Sequence, residues 1–170
     1  MVNTLKGASI GVQIKGELDA VADLASVAAD LSFSHVQGIA NGTGKDQANN
    51  RFTDQRTLAA SASESLDLSG VLTDAFGAAL TFTSIFAILV RAAAGNVNDV
   101  EVSCPAANGF VSPFLAASDG LKVKPGGLAL LVAPNAAAFA VVAGTGDLLD
   151  ITNGGAGTSV TYDIIIIGRT

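Results

Sequence analysis

The sequence predicts an all-β protein, a jelly-roll-like β-sandwich with an N-terminal arm. Three observations predict it. The chain holds 19 glycines among many short apolar runs, the pattern of strands separated by tight turns. In its last third, strand-like segments recur at roughly ten-residue spacing between Pro-Asn, Gly-Thr-Gly and Gly-Gly-Ala-Gly turns. At its centre, Ile85-Phe86-Ala87-Ile88-Leu89-Val90 is apolar on both faces, as a strand buried inside a sandwich would be. A length of 170 residues suffices for one domain with a sizeable core. The expected division is an arm over residues 1–40, packed on or swapped between subunits, and a sandwich over 41–170.

The elements follow in order. Ile10, Val12 and Ile14 alternate with Gly11, Gln13 and Lys15, which predicts a strand in the arm. GELDAVADLASVAADLSFSH carries two periods at once. Val21, Leu24, Ala28 and Leu31 fall at helical spacing, whereas residues 31–36 alternate, so a short helix or loop followed by a strand is expected. GIANGTGKDQANNRFTDQ is polar and reads as a long loop. RTLAASASESLDLSG reads as a small-residue strand, with Leu58, Ala60, Ala62, Glu64, Leu66 and Leu68 sharing a face. A turn is expected at Asp74 to Gly77, then a long strand from Leu80 to about Ala92. Val100 and Val102 should point inward. PAANGFVSPFLAAS, with two prolines and two phenylalanines, reads as a loop pinned by aromatic anchors. The remaining strands are expected at DGLKVKPGG, GLALLVAP, AFAVVAG, DLLDITNGG and SVTYDIIIIG.

That last segment poses a packing question. Alternation sends Ile164 and Ile166 to one face and Ile165 and Ile167 to the other. One core covers only one of them, so the second needs either the arm or a neighbouring subunit.

Composition limits the function classes. Charged residues make up 14% of the chain, against about a quarter in an ordinary globular protein, so small polar residues, glycine or another subunit must cover the surface. The formal net charge is −6 and the nine basic residues are scattered, which argues against nucleic acid as a partner. The acidic balance gives no pull towards anionic membranes. Residues 81–90 are too few to span a bilayer and meet Arg91, and residues 127–144 are interrupted by Pro134-Asn135, so no membrane partner is expected. The N-terminus shows no apolar stretch of signal-peptide length. With Cys104 the one cysteine, this points to synthesis in a reducing cytosol.

Searching for chemistry returns little. NGTGKD fails the phosphate-loop test, because Ile39 and Asp46 stand where Gly and Ser or Thr are required. GTGDLL lacks the third glycine of a dinucleotide loop and reads as a hairpin. His35 and Cys104 are the sole members of their types, with nothing positive to make them a dyad. Asn96, Asn98, Asp99 and Glu101, and likewise Asp147, Asp150 and Asn153, resemble turn chemistry more than a cation loop. No paired carboxylates stand out for glycoside hydrolysis and no Gly-x-Ser-x-Gly elbow is present. No catalytic residue, cofactor or metal is therefore expected.

ANGTGKDQANNRFTDQRTLAAS, DLSGVLTDAFGAALTF, KVKPGGLALLVAP and VVAGTGDLLDITNGGAGTSVTYDIIIIG together resemble a family of small virion structural proteins of tailed bacteriophages, over roughly residues 40–168. The motifs are individually modest turn-and-strand signals, and their order carries the resemblance. It implies a particle component rather than an enzyme. The favoured member is a capsid decoration, or cement, protein on the outer surface of the head, made in the host cytoplasm. Its expected partners are itself, as a dimer or trimer, and the major capsid protein. The expected subunit contacts are Ile10, Val12 and Ile14 in the arm, Phe110 and Phe114 in the two-proline loop, and Ile165 and Ile167 in the last strand. A tail or fibre adaptor is the alternative. A carbohydrate-binding or hydrolytic sandwich ranks last, since one tyrosine and no tryptophan leave few aromatic faces for a sugar.

Overall fold

The computed structural model describes residues 4–21 and 23–170. Among them every regular element is a strand. The order is β1 (Ala8–Val21), β2 (Ser26–Asn41), β3 (Gln47–Ala48), β4 (Asn50–Leu58), β5 (Ser63–Asp67), β6 (Ser84–Ala92), β7 (Val100–Ser103), β8 (Gly120–Val123), β9 (Leu128–Val132), β10 (Phe139–Ala140), β11 (Leu148–Asn153) and β12 (Val160–Arg169).

Two antiparallel sheets form the body. One runs β4-β12-β6, with β9 and β10 both on the far side of β6, and the other runs β5-β11-β7-β8. The pairing is nested: β4 with β12, β5 with β11, β6 with β9, and β7 with β8. The chain therefore folds back on itself about the β7–β8 connection, and successive pairs alternate between the two sheets. Their inner faces close one core. Leu66, Leu68, Leu149, Ile151, Val100, Val102 and Val123 from one side meet Phe52, Leu58, Ile88, Val90, Tyr162, Ile164 and Ile166 from the other. Burying each large side chain contributes about 1.5–3 kcal/mol.

The expected positions of Val100 and Val102, the turn at Asp74 to Gly77 and the strands of the last third all appear. Gly77 stands at φ 81° and donates its backbone N–H to the Asp74 carbonyl at 3.0 Å. Gly144, at φ 74°, turns the Val142–Gly146 bridge that precedes β11.

Three expectations are corrected. First, the described residues of the segment 17–30 are strand and turn, with no helix among them. The pairing that begins at Ala8 with Ile39 continues without a break to Val21 with Ser26, so β1 and β2 form one long hairpin. Helix propensities differ by only a few tenths of a kcal/mol per residue for most side chains, and a ladder already in register outweighs them. Second, residues 38–55 are mostly strand. β2 runs to Asn41, a short turn carries Asp46 at φ 56°, and β3 and β4 follow. β4 looks polar because it is an edge strand, with β12 its one neighbour and Thr53, Gln55 and Thr57 facing solvent. Third, RTLAASASESLDLSG is two strands. Ser61, at φ 56°, lies in the turn that carries the chain from β4 to β5 in the opposite sheet.

β6 is apolar on both faces for a local reason. Its register with β12 slips between Ile167, paired with Ala87, and Gly168, paired with Ile85. Phe86 is the extra residue of a β-bulge. The bulge sends Phe86 and Ala87 both to the outer face, while Ile85 and Ile88 stay in the main core. Outside, Phe86 and Ala87 join Ile39 and Ala48 in a second, smaller core, with Leu5, Ala8, Ile10, Val132 and Ile167 packed against it. This cluster fastens the base of the hairpin to the body.

Candidate interaction surface

Directly paired residues of antiparallel strands share a face. On the hairpin the register therefore joins Ile10 with Gln37, Val12 with His35, Ile14 with Phe33, Gly16 with Leu31, Leu18 with Ala29, and Ala20 with Val27. All lie on one side. The other side carries Gln13 with Ser34, Lys15 with Ser32, and Glu17 with Asp30. The ribbon is thus amphipathic, and only its base is covered. Beyond Val12 the apolar side stands free, with Ile14 at 53%, Leu18 at 76%, Leu31 at 56% and Phe33 at 50% exposure. An isolated two-stranded ribbon is marginal in water, and a contiguous apolar face of this kind marks a docking surface.

The outer face of the β4-β12-β6-β9 sheet is the second element. Its cross-strand rows run from apolar to polar. Beside the hairpin base lie Val132, Ala87 and Ile167, next come Leu130, Leu89 and Ile165, and then Leu128, Arg91 and Asp163. Asp163 closes the patch. It accepts from Gln55 Nε2 at 2.7 Å and from Arg91 Nε at 2.8 Å, and the Gln55 bond, with the charge of Arg91, holds its carboxyl below the usual carboxylate range. Between the hairpin base and these rows sits an apolar cleft of about 250 Å³, lined by Ile10, Ala87, Leu89, Leu130, Ile165 and Ile167.

The contact residues expected from sequence separate into three groups. Ile10 and Ile167 are used within the chain, at the hairpin base. Val12, Ile14 and Ile165 remain exposed, on the ribbon and the outer sheet. Phe110 is fully buried in the main core and Phe114 packs against that core, so the two-proline loop is anchored inward and leaves the docking surface. Sequence reading missed Leu18, Leu31 and Phe33, because the segment's helical period masked a strand alternation that Leu31 and Phe33 already displayed.

The polar groups singled out for possible chemistry act as fasteners. Asn96 makes paired bonds with Thr161, its Nδ2 donating to the carbonyl at 2.9 Å and its Oδ1 accepting from the N–H at 2.9 Å. Asn98 donates to Asn153 Oδ1 at 3.0 Å. Lys124 pairs with Asp99 and Lys122 with Glu101. Gln47 Oε1 accepts from the Gly44 N–H at 2.8 Å, closing the NGTGKD turn on itself. His35 sits on the exposed ribbon, whereas Cys104 is buried and directs its thiol at the Ala116 carbonyl, so the two lie in different parts of the molecule. Among the described residues, no group of three or more His, Cys, Asp or Glu side chains could hold a metal ion.

Two polar clusters tie strands and loops of the body together. The Tyr162 hydroxyl donates to Glu64, whose carboxylate also pairs with Arg56. Arg56 bonds Asp54 at 2.9 Å and lies 5.7 Å from the Phe52 ring centroid. Burial disfavours the charged guanidinium there, but the bonds from Asp54 and Glu64 outweigh it and raise its pKa. Arg169, 2% exposed, ties the chain end to two loops. It donates to the carbonyls of Gly44 at 2.8 Å, Gln47 at 3.0 Å, Asn135 at 3.0 Å and Ala136 at 2.6 Å. Burial draws its pKa down.

Fold and surface together define a class: an antiparallel β-sandwich with a projecting amphipathic hairpin. No family model, curated protein or solved structure matches the chain.

Proposed function

We propose that this chain is a non-enzymatic structural component of a tailed-bacteriophage particle, a decoration protein that binds the outer surface of the head and stabilises it. The observation that carries the reading is the hairpin, whose apolar face is built in register over its whole length yet covered only at its base. Such a face is an assembly device, and burial of apolar area contributes about 25 cal/mol per Å² before the costs of association are subtracted. Many copies on one shell then add through multivalency.

Two further features support it. The nested strand pairing, with sheet orders β4-β12-β6-β9 and β5-β11-β7-β8, supports reading the sandwich as jelly-roll-like, an architecture common in viral capsid domains. Polar residues such as Gln47, Asn96, Asn98 and Asp163 are engaged in turn and sheet bonds, which supports a role resting on shape.

The test is co-sedimentation of the purified protein with preformed heads that lack it. Saturable binding in many copies, with heads that withstand more heat before releasing DNA, is expected. No binding, or binding confined to one vertex as a tail adaptor would show, overturns the decoration role.

A further inference from the structure

We infer that Arg169 is a positioning residue for the hairpin: its guanidinium, clipped to the foot of the ribbon on one side and to a turn of the body on the other, sets the angle at which the ribbon leaves the sandwich. The inference goes beyond the reading of the hairpin as an assembly device and holds whichever surface the ribbon meets.

The hairpin has two fasteners, and they differ in kind. One is apolar: Ala8, Ile10 and Ile39 at the base share a cluster with Phe86, Ala87, Val132 and Ile167. Apolar burial is non-directional, so this contact holds the base down without fixing a direction. The other is polar and lies at the turn that carries β2 into β3. There the Ala40 N–H donates to the Asp46 carbonyl at 2.9 Å and the Gly42 N–H to the Ala48 carbonyl at 3.2 Å. Gln37, on the ribbon, donates from Nε2 to Asp46 Oδ1 at 3.1 Å, and the Asp46 N–H reaches the Pro134 carbonyl of the body at 2.8 Å. Hydrogen bonds weaken steeply off line, so a set of them along different directions fixes an orientation.

Arg169 closes this set. It is the last residue of β12 and pairs with Ser84 of β6. From there Nη2 reaches both ways, to the Gly44 carbonyl in the foot turn at 2.8 Å and to the Asn135 carbonyl at 3.0 Å. Nε takes the Gln47 carbonyl at 3.0 Å and Nη1 the Ala136 carbonyl at 2.6 Å. Residues 135 and 136 lie between β9 and β10, which both pair with β6, so they are part of the body. A guanidinium is planar and carries its donors in a fixed fork, so two segments bound to it at once are held in one relative placement. Arg169 is buried, and among the described residues its partners are backbone carbonyls and the Ser84 hydroxyl rather than a carboxylate. Burying a cation without a counter-charge is costly, and an apolar side chain would fill the same space at less cost. What an apolar side chain lacks is the fork. A defined angle lowers the ordering cost of docking, because every copy presents the ribbon in the same pose.

The test measures the ribbon's pose directly. Spin labels are placed at Glu17→Cys, on the polar side of the ribbon, and at Ser63→Cys, exposed on β5 of the body, while the natural Cys104 is buried and stays unlabelled. The labelled chain is diluted into an excess of unlabelled chain, so that the electron–electron distance is read within one copy. A single narrow distance is expected in the otherwise natural chain, and Arg169→Ala should lose it to a broad distribution. Ile166→Ala, a truncation in the main core away from the clip, should lower stability yet keep the narrow distance. Arg169→Lys, which keeps the charge without the fork, should give an intermediate width, and it decides the matter if the alanine variant does not fold. A broad distribution in the natural chain overturns the inference, as does a narrow one in the Arg169 variants. Equal broadening by Ile166→Ala also overturns it, since Arg169 would then act through general stability. The head-binding assay is read separately: a pose that depends on Arg169 in a chain that ignores heads sinks the decoration role alone, and head binding by a natural chain of broad distribution sinks the positioning role alone.

Discussion

Tyr162 on β12 reaches across the sandwich and donates its hydroxyl proton to Glu64 Oε1 on β5, at 2.6 Å. The bond joins the two sheets, and Arg56 compensates the carboxylate from β4. Burial, reinforced by the bond to Glu64, pushes the Tyr162 hydroxyl well above the ordinary phenol value. The sign follows from linkage. A raised folded-state pKa favours the protonated form, so its contribution is complete below the unfolded value near pH 10 and is lost as pH rises above it. Stability should therefore fall above pH 10 by up to about 1.4 kcal/mol per pH unit from this group. Tyr162→Phe should cost about 1–2 kcal/mol at pH 7 and abolish that part of the alkaline slope, measured as the difference between urea melts of the two proteins.

Arg169 is the second fastener. Its guanidinium serves carbonyls in the loop after β2 and in the 135–136 turn. Arg169→Ala should lower stability by about 1–3 kcal/mol, because four carbonyl acceptors lose a charged donor together. Arg169→Lys should recover part of this, since an ammonium offers three donors rather than five. Chemical denaturation of the three proteins checks the order. Equal midpoints would show that water replaces the guanidinium.

The four isoleucines of β12 should separate by face. Ile166→Ala is expected to cost about 2–5 kcal/mol, as truncation inside a packed core does. Ile165→Ser should cost less than about 1 kcal/mol in the isolated chain, because Ile165 is 37% exposed. Thermal melts of both variants at one low concentration decide it, and similar losses would place Ile165 in a core as well.

Gly168 sits at the bulge, where a side chain has no room. An added Cβ would lie 2.7 Å from the Ser84 carbonyl oxygen and 2.8 Å from Phe82. Gly168→Ala should destabilise by about 1–3 kcal/mol through overpacking. It should also disturb the pairing that throws Phe86 outward, seen as faster amide exchange at Phe86 and Ala87. Unchanged protection there would mean that the bulge does not depend on this glycine.

Much of the fold could be read from local pattern. Alternation of Val100 with Val102, the Pro-Gly-Gly and Gly-Thr-Gly turns and the aliphatic terminal strand are period-2 and turn signals that act over a few residues. The surface was half legible. Ile10, Val12 and Ile14 alternate plainly and residues 31–36 read as a strand, but the outward continuation of the ribbon through Leu18 and Ala29 was hidden, because alanine-rich residues 17–30 satisfy a helical period equally well. Only cross-strand register distinguishes the two, and register belongs to a pair of segments. Phe110 was misplaced for a related reason. A phenylalanine in a proline-containing loop looks the same in sequence whether the loop folds inward or outward.

By itself the sequence determined that the chain would be all-β, where most of its turns would fall, and that β12 would show apolar side chains to both sides. Tertiary structure decided what those two sides meet. The nested pairing buried Ile164 and Ile166 in the main core, and the bulge at Phe86 built a second core that takes Ile167 under the hairpin base. Ile165 remained on the outer face. The physical reason is that alternation assigns a side chain to a face, whereas what covers that face depends on segments far away in the chain.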